Sequence, residues 1–250
     1  LAFAKHPLID RYETSSLRHI MSGAAPLDGE VAAQAAARIG CPIVQGYGMT
    51  EASPVITCVS AFGEDRPGSV GPLVANTEGR IVDPETGQDV ATGEPGELWA
   101  RGPQVMPGYL GNDAATAATI VDGGWLRTGD IATADADGWI TITDRVKELI
   151  KVKGYQVAPA ELEALLLNHP SVTDACVIPV PDDEAGERPK AFVVLRDAVE
   201  PQDLIDWMRE RAAPHKRLVA VEIVDEIPKS ASGKILRRLL VDRERSRTAK

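Results

Sequence analysis

The stretch LRHIMSGAAPLDGEVAAQAAARIGCPIVQGYGMTE, residues 17–51, decides how the fold begins. Residues 17–22 predict a short strand. Asp28 is placed to cap a helix through VAAQAAARI, which Gly40 would close, and a second strand is expected over 43–47. The order strand, helix, strand predicts a βαβ-like unit and therefore an α/β domain.

Beyond this unit the pattern becomes rich in short β-strands. Between Arg66 and about Asp130, glycine and proline recur every few residues between runs such as GRIVD and GELWARG, as in a small barrel or folded sheet. The segment ADADG at 134–138 predicts a turn between two strands. A β-barrel-like subdomain is therefore expected over about 66–143, within a larger domain that ends at residue 146.

After Asp144 the pattern predicts a small α+β domain, residues 147–250, so the chain is multidomain. A strand, ELIKV, leads into a loop, KGYQVAP, and into a helix with Pro159 at its first position. Two strands, a helix beginning near Pro201 and a final apolar-periodic stretch, ILRRLL, follow. We place the boundary at 144–148, because the segments on either side each have their own apolar elements.

The composition excludes several classes of protein. The chain of 250 residues has a formal charge of −10, which argues against a nucleic-acid binder. It contains no secretory signal and no run of 18 apolar residues, so no stable membrane association is expected. Cys41, Cys58 and Cys176 stand far apart, which favours buried thiols and a cytoplasmic protein. The four histidines form no zinc spacing, and no oligomeric state is predicted.

The motif QGYGMTE, Gln45–Glu51, is the first candidate site. Its glycines let the backbone approach a ligand, Tyr47 offers a flat stacking face, and Thr50 and Glu51 supply a hydroxyl and a carboxylate. This set suits a nucleotide with its phosphates and Mg²⁺. The alternative interpretation is a glycine turn after a buried strand.

The motif GGWLRTGD, Gly123–Asp130, ends in a carboxylate that follows a predicted Thr-Gly turn. A carboxylate held in this way can accept both hydroxyls of a ribose diol. The alternative is an Asx turn that opens the next strand.

The segment DRVKELIKVKG concentrates positive charge in an otherwise acidic chain, with four basic residues within nine positions: Arg145, Lys147, Lys151 and Lys153. On a strand the three lysines would share one face, because the side-chain period is two. Two interpretations stay open. The segment is either a lysine-protected edge strand or an anion site followed by a loop at Gly154.

The motif PKSASGKILRR places a flexible Ser/Gly loop before Lys234. It is not a Walker A loop, because Pro228 stands where glycine is needed and Ile235 replaces the Ser or Thr that binds Mg²⁺. A solvent-exposed loop before a basic terminal helix is the alternative.

These four motifs, together with SGAAPL at 22–27 and GEPGELWARGPQVMPGYL at 93–110, resemble the adenylate-forming (AMP-binding) superfamily of acyl-CoA synthetases. The chain is most similar to 4-coumarate–CoA ligase-like enzymes, and the resemblance covers its whole length. It implies an acid–CoA ligase that uses ATP, Mg²⁺ and coenzyme A. Such an enzyme converts a small-molecule carboxylic acid into an acyl-adenylate and then into an acyl-CoA, with AMP and pyrophosphate as products.

The resemblance also implies roles for individual residues. Contacts with the nucleotide are implied for Gly23, Ala24, Ala25, Gln45, Gly46, Tyr47 stacked on adenine, Gly48, Thr50 at the α-phosphate, Asp130 at the ribose, and Arg145. Glu51 would hold Mg²⁺. Residues of the small domain would complete the reaction: Lys147 as hinge, Lys151 and Gln156 at the adenylate, Lys153 and Gly154 in the loop that shapes the CoA tunnel, and Lys234 for adenylation.

One family motif is missing from the sequence. The Ser/Thr/Gly-rich phosphate loop is expected upstream of Leu1, and no such loop occurs in the 250 residues. The chain is therefore expected to be a C-terminal fragment that is inactive alone. An adenylation domain that loads a carrier protein and a non-catalytic truncated relative are the alternatives. Both a hydroxycinnamate and a fatty acid fit as substrate.

The two lysines proposed for chemistry are expected to act in different steps. Lys151 is predicted on a different face of the small domain from Lys234. Rotation about the hinge would then present Lys234 for adenylation and the Gly154 loop for thioester formation.

Overall fold

The computed structural model describes residues 2–23, 27–60, 63–64, 66–230 and 233–248. The predicted ligand residues Ala24 and Ala25 lie outside the described residues. The chain divides into two compact units, Leu1–Val146 and Lys147–Lys250. Among the described helices, none combines the length and the apolar character that a membrane crossing requires.

The first unit opens with the predicted βαβ arrangement. Helix α1 (Ala2–Lys5) precedes β1 (Ile20–Ser22), α2 (Gly29–Ile39), β2 (Ile43–Gly48) and β3 (Val55–Cys58). Strands β1 and β2 pair in parallel and β3 joins β2 in antiparallel fashion. Local chemistry fixes α2: the Asp28 carboxylate accepts the backbone N–H groups of Glu30 and Val31, and Gly40 ends the helix with φ of 78°. The prediction of an α/β unit is confirmed.

The β-rich part of the first unit is a five-stranded antiparallel sheet. It contains β4 (Glu78–Val82), β5 (Gly96–Arg101), β6 (Ile120–Val121), β7 (Trp125–Ala134) and β8 (Ile140–Arg145), with α3 (Asp113–Thr119) before β6. The order is β4-β5-β7-β6, and β8 also pairs with β7. The predicted turn at 134–138 begins at the last residue of β7 and leads to β8. Leu98, Leu126 and Ile140 are buried with Ile56, so that this sheet and the first one share a core.

The second unit is an α+β domain built on one sheet. It contains β9 (Ile150–Val152), β10 (Tyr155–Val157), α4 (Pro159–Leu167), β11 (Val172–Asp182), β12 (Gly186–Leu195), α5 (Pro201–Arg209), β13 (Ala220–Ile223) and α6 (Arg237–Thr248). The strand order is β10-β9-β12-β11, and β13 pairs in parallel with β12.

Strand β11 shows how the sheet of the second unit is covered on both faces. Ala175 and Val177 pack into the cluster formed with α4 and α5, whereas Cys176 and Ile178 pack into the cluster that includes Leu240 of α6. Because side chains alternate along a strand, α4 and α5 cover one face and α6 covers the other.

The predicted loop KGYQVAP is partly wrong. Residues Tyr155–Val157 form β10, which pairs with β9 in a hairpin. The two residues between the strands, Lys153 with φ of 50° and Gly154 with φ of 84°, are both left-handed, as in the two-residue turn that matches strand twist. Strand β13 was not predicted.

Candidate functional site

Two glycines of the QGYG motif in β2 lie very close to the backbone of the adjacent segment that forms β3. A Cβ atom at Gly48 would lie 1.9 Å from the carbonyl oxygen of Pro54, and one at Gly46 would lie 3.2 Å from that of Thr57. Glycine is therefore required by the packing of this unit itself, a reason different from the predicted approach of a ligand. Gly23 lies beside Gly46, since a Cβ atom there would be 3.7 Å from its carbonyl oxygen.

Gln45 and Thr50 stand at opposite ends of the motif and in different surroundings. Gln45 is buried, pairs with Ser22 across β1 and β2, and its carbonyl oxygen accepts the N–H of Val59 at 2.9 Å. Thr50 is exposed at the start of a short 3₁₀ turn, Thr50–Ala52. Of the two, Thr50 is the residue whose side chain is accessible to a ligand.

Three predicted ligand residues come together at the end of β2. The Tyr47 hydroxyl donates a hydrogen bond of 2.5 Å to Oδ2 of Asp130, although 83 positions separate the two. The other oxygen, Oδ1, lies 3.3 Å from Nε of Arg145, because Asp130 and Arg145 face each other across β7 and β8. One carboxylate thus holds a phenol and a guanidinium in place.

The local backbone around Asp130 differs from the prediction. No turn precedes it; Thr128 and Gly129 lie inside β7, where Gly129 has φ of 72° and the pairing with β5 shifts register. This is a β-bulge: Glu97 pairs with Ile131 but Trp99 pairs with Arg127, so β7 carries two residues more than β5 here. The N–H of Asp130 donates to Oγ1 of Thr128 at 3.1 Å, so a contact with threonine stands here in place of the Asx turn of the alternative interpretation.

The surroundings of Tyr47 keep its hydroxyl protonated. Burial and the adjacent Asp130 carboxylate raise the pKa of Tyr47 well above its ordinary value. The tyrosine therefore stays a neutral donor in the neutral and mildly alkaline range, and it cannot turn its hydroxyl away without leaving a buried carboxylate short of a partner. The ring is fixed as a result.

The segment 106–109 holds both the main chain and the side chain of Glu51. The Tyr109 hydroxyl donates to Oε1 of Glu51 at 2.7 Å, and the N–H of Met106 donates to the Glu51 carbonyl oxygen at 2.8 Å. The hydrogen bond to Glu51 raises the pKa of Tyr109. Tyr109 is in turn held by Thr116 of α3, whose Oγ1 accepts its N–H at 2.9 Å.

Sequence reasoning missed Tyr109. The available signal was its place in the GYL that closes the segment 93–110, but nothing local links a phenol to a carboxylate 58 positions away.

The acidic side chains near Glu51 do not form a metal cage. Among the described residues, no group of three or more His, Cys, Asp or Glu side chains could enclose a metal ion. A single carboxylate fits a cation that is held mainly by substrate phosphates and water, which is the usual mode for Mg²⁺.

In the second unit, the hairpin β9–β10 presents Lys151 and Gln156 side by side. They are direct cross-strand partners and both are exposed. Ile150 and Val152 belong to the core under α4 and α5, so the Lys151 side chain points away from that core. The prediction that Lys147, Lys151 and Lys153 share a strand face is wrong, because β9 spans only Ile150–Val152.

The segment around Lys234 is a small closed loop. The N–H of Ser230 donates to the Lys234 carbonyl oxygen at 2.9 Å, and Ser230 Oγ accepts the N–H of Lys234 at 3.2 Å. Lys229 and Ile235 form an antiparallel bridge at the base. The loop is tied to β11 by an ion pair of 2.6 Å between Lys229 and Asp174.

Lys151 and the Lys234 loop lie in different parts of the second unit. Ile227 and Ile235, which flank the loop, pack into the cluster on the α6 face. Lys151 lies on β9, and β12 lies between β9 and β11 in the sheet. That the two lysines act from different faces of the unit stays a prediction.

The chain is similar to known proteins over most of its length. The chain matches the family described as "AMP-binding enzyme" over residues 2–110 and "AMP-binding enzyme C-terminal domain" over residues 161–234. It is 49% identical over 247 residues to "4-coumarate:CoA ligase 1" of Petunia hybrida, covering 95% of this chain and 45% of that protein. It is 47% identical over 235 residues to "Peroxisomal OPC-8:0-CoA ligase 1" of Arabidopsis thaliana, covering 92% and 43%.

Among solved structures, the chain is similar to the anthranilate CoA ligase AuaEII in complex with anthranoyl-AMP. The TM-score is 0.90 at 32% identity, and the match covers 100% of this chain and 48% of the other. The chain thus spans about half the length of the relatives that it matches.

Proposed function

The chain belongs to the AMP-binding enzyme family, and on this premise we propose that it is part of an acid–CoA ligase. In the first step a carboxylate attacks the α-phosphorus of ATP, which forms an acyl-adenylate and releases pyrophosphate. In the second, the thiol of coenzyme A attacks the acyl carbonyl and AMP leaves. The observation that carries the proposal is the cluster of Tyr47, Asp130 and Arg145, together with the CoA ligases among the similar proteins.

The cluster suits the nucleoside part of ATP. Asp130 is an acceptor whose position is fixed by two donors, and a ribose diol would donate to the same carboxylate. Tyr47 is anchored through its hydroxyl, so its ring face is available for stacking against a base. Arg145 adds a permanent positive charge near the sugar and phosphates.

The positive charges of the second unit suit the chemical step. A carboxylate attacking a polyphosphate is an anion approaching a polyanion, so cations must offset the repulsion and stabilise the charge that develops. We assign this task to Lys234, with Lys151 and the Gln156 amide at the adenylate. A lysine on a loop is apt, because a compact cation on a flexible stem can approach and withdraw.

Glu51 would hold Mg²⁺ in this scheme. The ion would neutralise phosphate charge when bound, and Tyr109 would keep the carboxylate oriented toward it. Thr50, exposed beside Glu51, would contact the α-phosphate.

We propose that the two units act as the C-terminal part of the large AMP-binding domain, 1–146, and a mobile C-terminal domain, 147–250, with Lys147 as hinge. Rotation of the second would bring Lys234 into use for adenylation. It would then bring the Lys153–Gly154 turn into use for thioester formation.

The acid and the compartment are part of the same proposal. A hydroxycinnamate and a medium- or long-chain fatty acid both stand as substrates, and the similar proteins include CoA ligases named for two different acids, 4-coumarate and OPC-8:0. Free thiols at all three cysteines favour a reducing compartment such as the cytoplasm.

The test uses the full-length protein that contains this chain. ATP–pyrophosphate exchange is measured with a panel of hydroxycinnamic and fatty acids, followed by mass spectrometry of the products with CoA. Acid-dependent exchange and an acyl-CoA product are expected. Exchange without thioester formation, restored by a phosphopantetheinylated carrier protein, would support the carrier-loading alternative instead. The absence of exchange with every acid would contradict the proposal.

A further inference from the structure

Arg237 begins α6 three residues after Lys234 and bonds to three different parts of the second unit. Its Nε lies 2.8 Å from Oε2 of Glu148, and Nη1 donates to the carbonyl oxygen of Val177 at 2.5 Å. Nη1 also donates to the carboxylate of Glu163 in α4. The residue that follows the Lys234 loop is therefore joined to the start of the unit, to α4 and to β11.

The side chains of Arg237 and Glu163 are both largely buried, so each charge needs the other as its partner. Their side chains are only 12% and 10% exposed, and Glu163 also accepts the N–H of Val177 at 2.7 Å. Burial works to lower the pKa of Arg237, but the neighbouring carboxylates raise it on balance, so it stays a cation. Removal of either partner would leave a buried charge without compensation.

The contact with Glu148 is different, because nothing about burial demands it. The Glu148 side chain is 30% exposed, and Glu163 already balances the charge of Arg237. Glu148 also lies two positions after Val146, where the first unit ends. The contact thus joins the first residues of the second unit to the end of the Lys234 loop.

Backbone contacts between its two ends close the Lys234 loop at its base. The position of the loop on the second unit therefore depends on the side chains that hold these two ends. The N–H of Leu236 donates to the carbonyl oxygen of Pro228 at 2.8 Å, next to the bridge between Lys229 and Ile235. The upstream anchor is the ion pair of Lys229 with Asp174. The downstream anchor is Arg237.

We propose that Glu148 and Arg237 form a latch that positions the Lys234 loop for adenylate formation, which makes both of them positioning residues. This rests on the proposed function, because it assumes that Lys234 acts on ATP. The latch connects the first residues of the second unit to the Lys234 loop. A change of conformation near the hinge at Lys147 would therefore change the position of Lys234.

The test substitutes Glu148→Gln in the full-length protein, which keeps the size of the side chain and leaves the buried pair intact. Glu161→Gln is the matched control, since Glu161 is exposed and pairs with Lys216 at the surface. Single-turnover adenylate formation and CoA attack on supplied acyl-adenylate are measured separately. We expect Glu148→Gln to slow adenylate formation about tenfold, the size of one charge-assisted hydrogen bond lost in one state. The rate of CoA attack on supplied acyl-adenylate should stay within about twofold of the parent rate. Glu161→Gln should change neither rate.

A second measurement does not depend on the proposed chemistry. Amide hydrogen exchange at Lys234 and Leu236 should become faster in Glu148→Gln and stay unchanged in Glu161→Gln. Arg237→Lys, which keeps the charge but loses the fork geometry, should show the same selective loss of adenylation. Equal slowing of both half-reactions, or unchanged exchange in the loop, would overturn the latch. If the parent forms no adenylate, the proposed function fails while the exchange experiment still decides the latch.

Discussion

The two units present their candidate residues in opposite ways. In the first, Asp130 is 9% exposed and is fixed by a hydrogen bond from Tyr47 and an ion pair with Arg145, so the residues proposed for the nucleotide are preorganised. In the second, Lys151 and Gln156 are exposed on a hairpin, and Lys234 is on a loop whose two ends are anchored by Lys229 and Arg237. A rigid binding cluster and movable cations suit a reaction in which the nucleotide stays while the reacting partners change.

The sharpest test of this contrast compares the Lys234 loop with the Lys153–Gly154 turn. Lys234→Ala in the full-length protein should reduce adenylate formation by about 10²–10³, as for the loss of another transition-state charge partner. CoA attack on supplied acyl-adenylate should persist. Gly154→Leu should do the reverse, because a leucine cannot easily take φ of 84° and would distort the turn.

Each half-reaction is measured alone for both variants, with Arg238→Gln as a control, since Arg238 is 92% exposed. Equal slowing of both half-reactions in both variants would show that the domains do not alternate.

A smaller effect is expected from Asp130→Ala, which removes the acceptor of the rigid cluster. Loss of charge-assisted hydrogen bonds to a ribose diol costs about 1.5–3 kcal/mol, so the apparent Kd for ATP should rise at least tenfold. Isothermal titration with ATP measures it, and Asp122→Ala, an exposed aspartate between β6 and β7, is the control. Unchanged affinity would reduce Asp130 to a structural role.

Tyr47→Phe separates the ring from its anchor. The stacking face remains, but Asp130 loses one donor, so affinity for ATP should fall by about five- to tenfold, the size of one net hydrogen bond. The same titration measures it. A loss as large as that of Asp130→Ala would mean that the hydroxyl itself touches the nucleotide.

The smallest effect is expected from Tyr109→Phe, which frees one oxygen of Glu51. The concentration of Mg²⁺ that gives half-maximal adenylate formation should rise about threefold to fivefold, because the carboxylate is less well oriented. The rate at saturating Mg²⁺ should hardly change. A lower rate with an unchanged Mg²⁺ requirement would contradict the role given to Tyr109.

Local chemistry made parts of this structure predictable. Asp28 and Gly40 mark the ends of α2 because capping depends on residues three or four positions apart. The string ADADG marks a turn for a similar reason. The family motifs named Tyr47, Asp130 and Arg145, but their contact depends on the register of β7 and β8, which no local pattern contains.

The errors came from interactions between distant segments. Tyr109 meets Glu51 only after the chain has folded, and β13 pairs in parallel with β12 far earlier in the chain. The even spacing of the lysines predicts one strand, yet a left-handed Lys153 ends β9 after three residues. Lysine is unusual in the left-handed conformation. The residue type at position 153 therefore does not indicate a tight hairpin.

That left-handed Lys153 has a consequence for anyone who selects variants of this protein for heat resistance. A side chain with a Cβ atom in this region costs on the order of 1 kcal/mol relative to glycine, so a thermal screen would enrich Lys153→Gly or Lys153→Asn. Such a screen would erase a positive charge from the turn next to Gly154. Selection for thermal stability and selection for turnover would therefore favour different residues at position 153. Variants enriched by a thermal screen should be screened again for turnover.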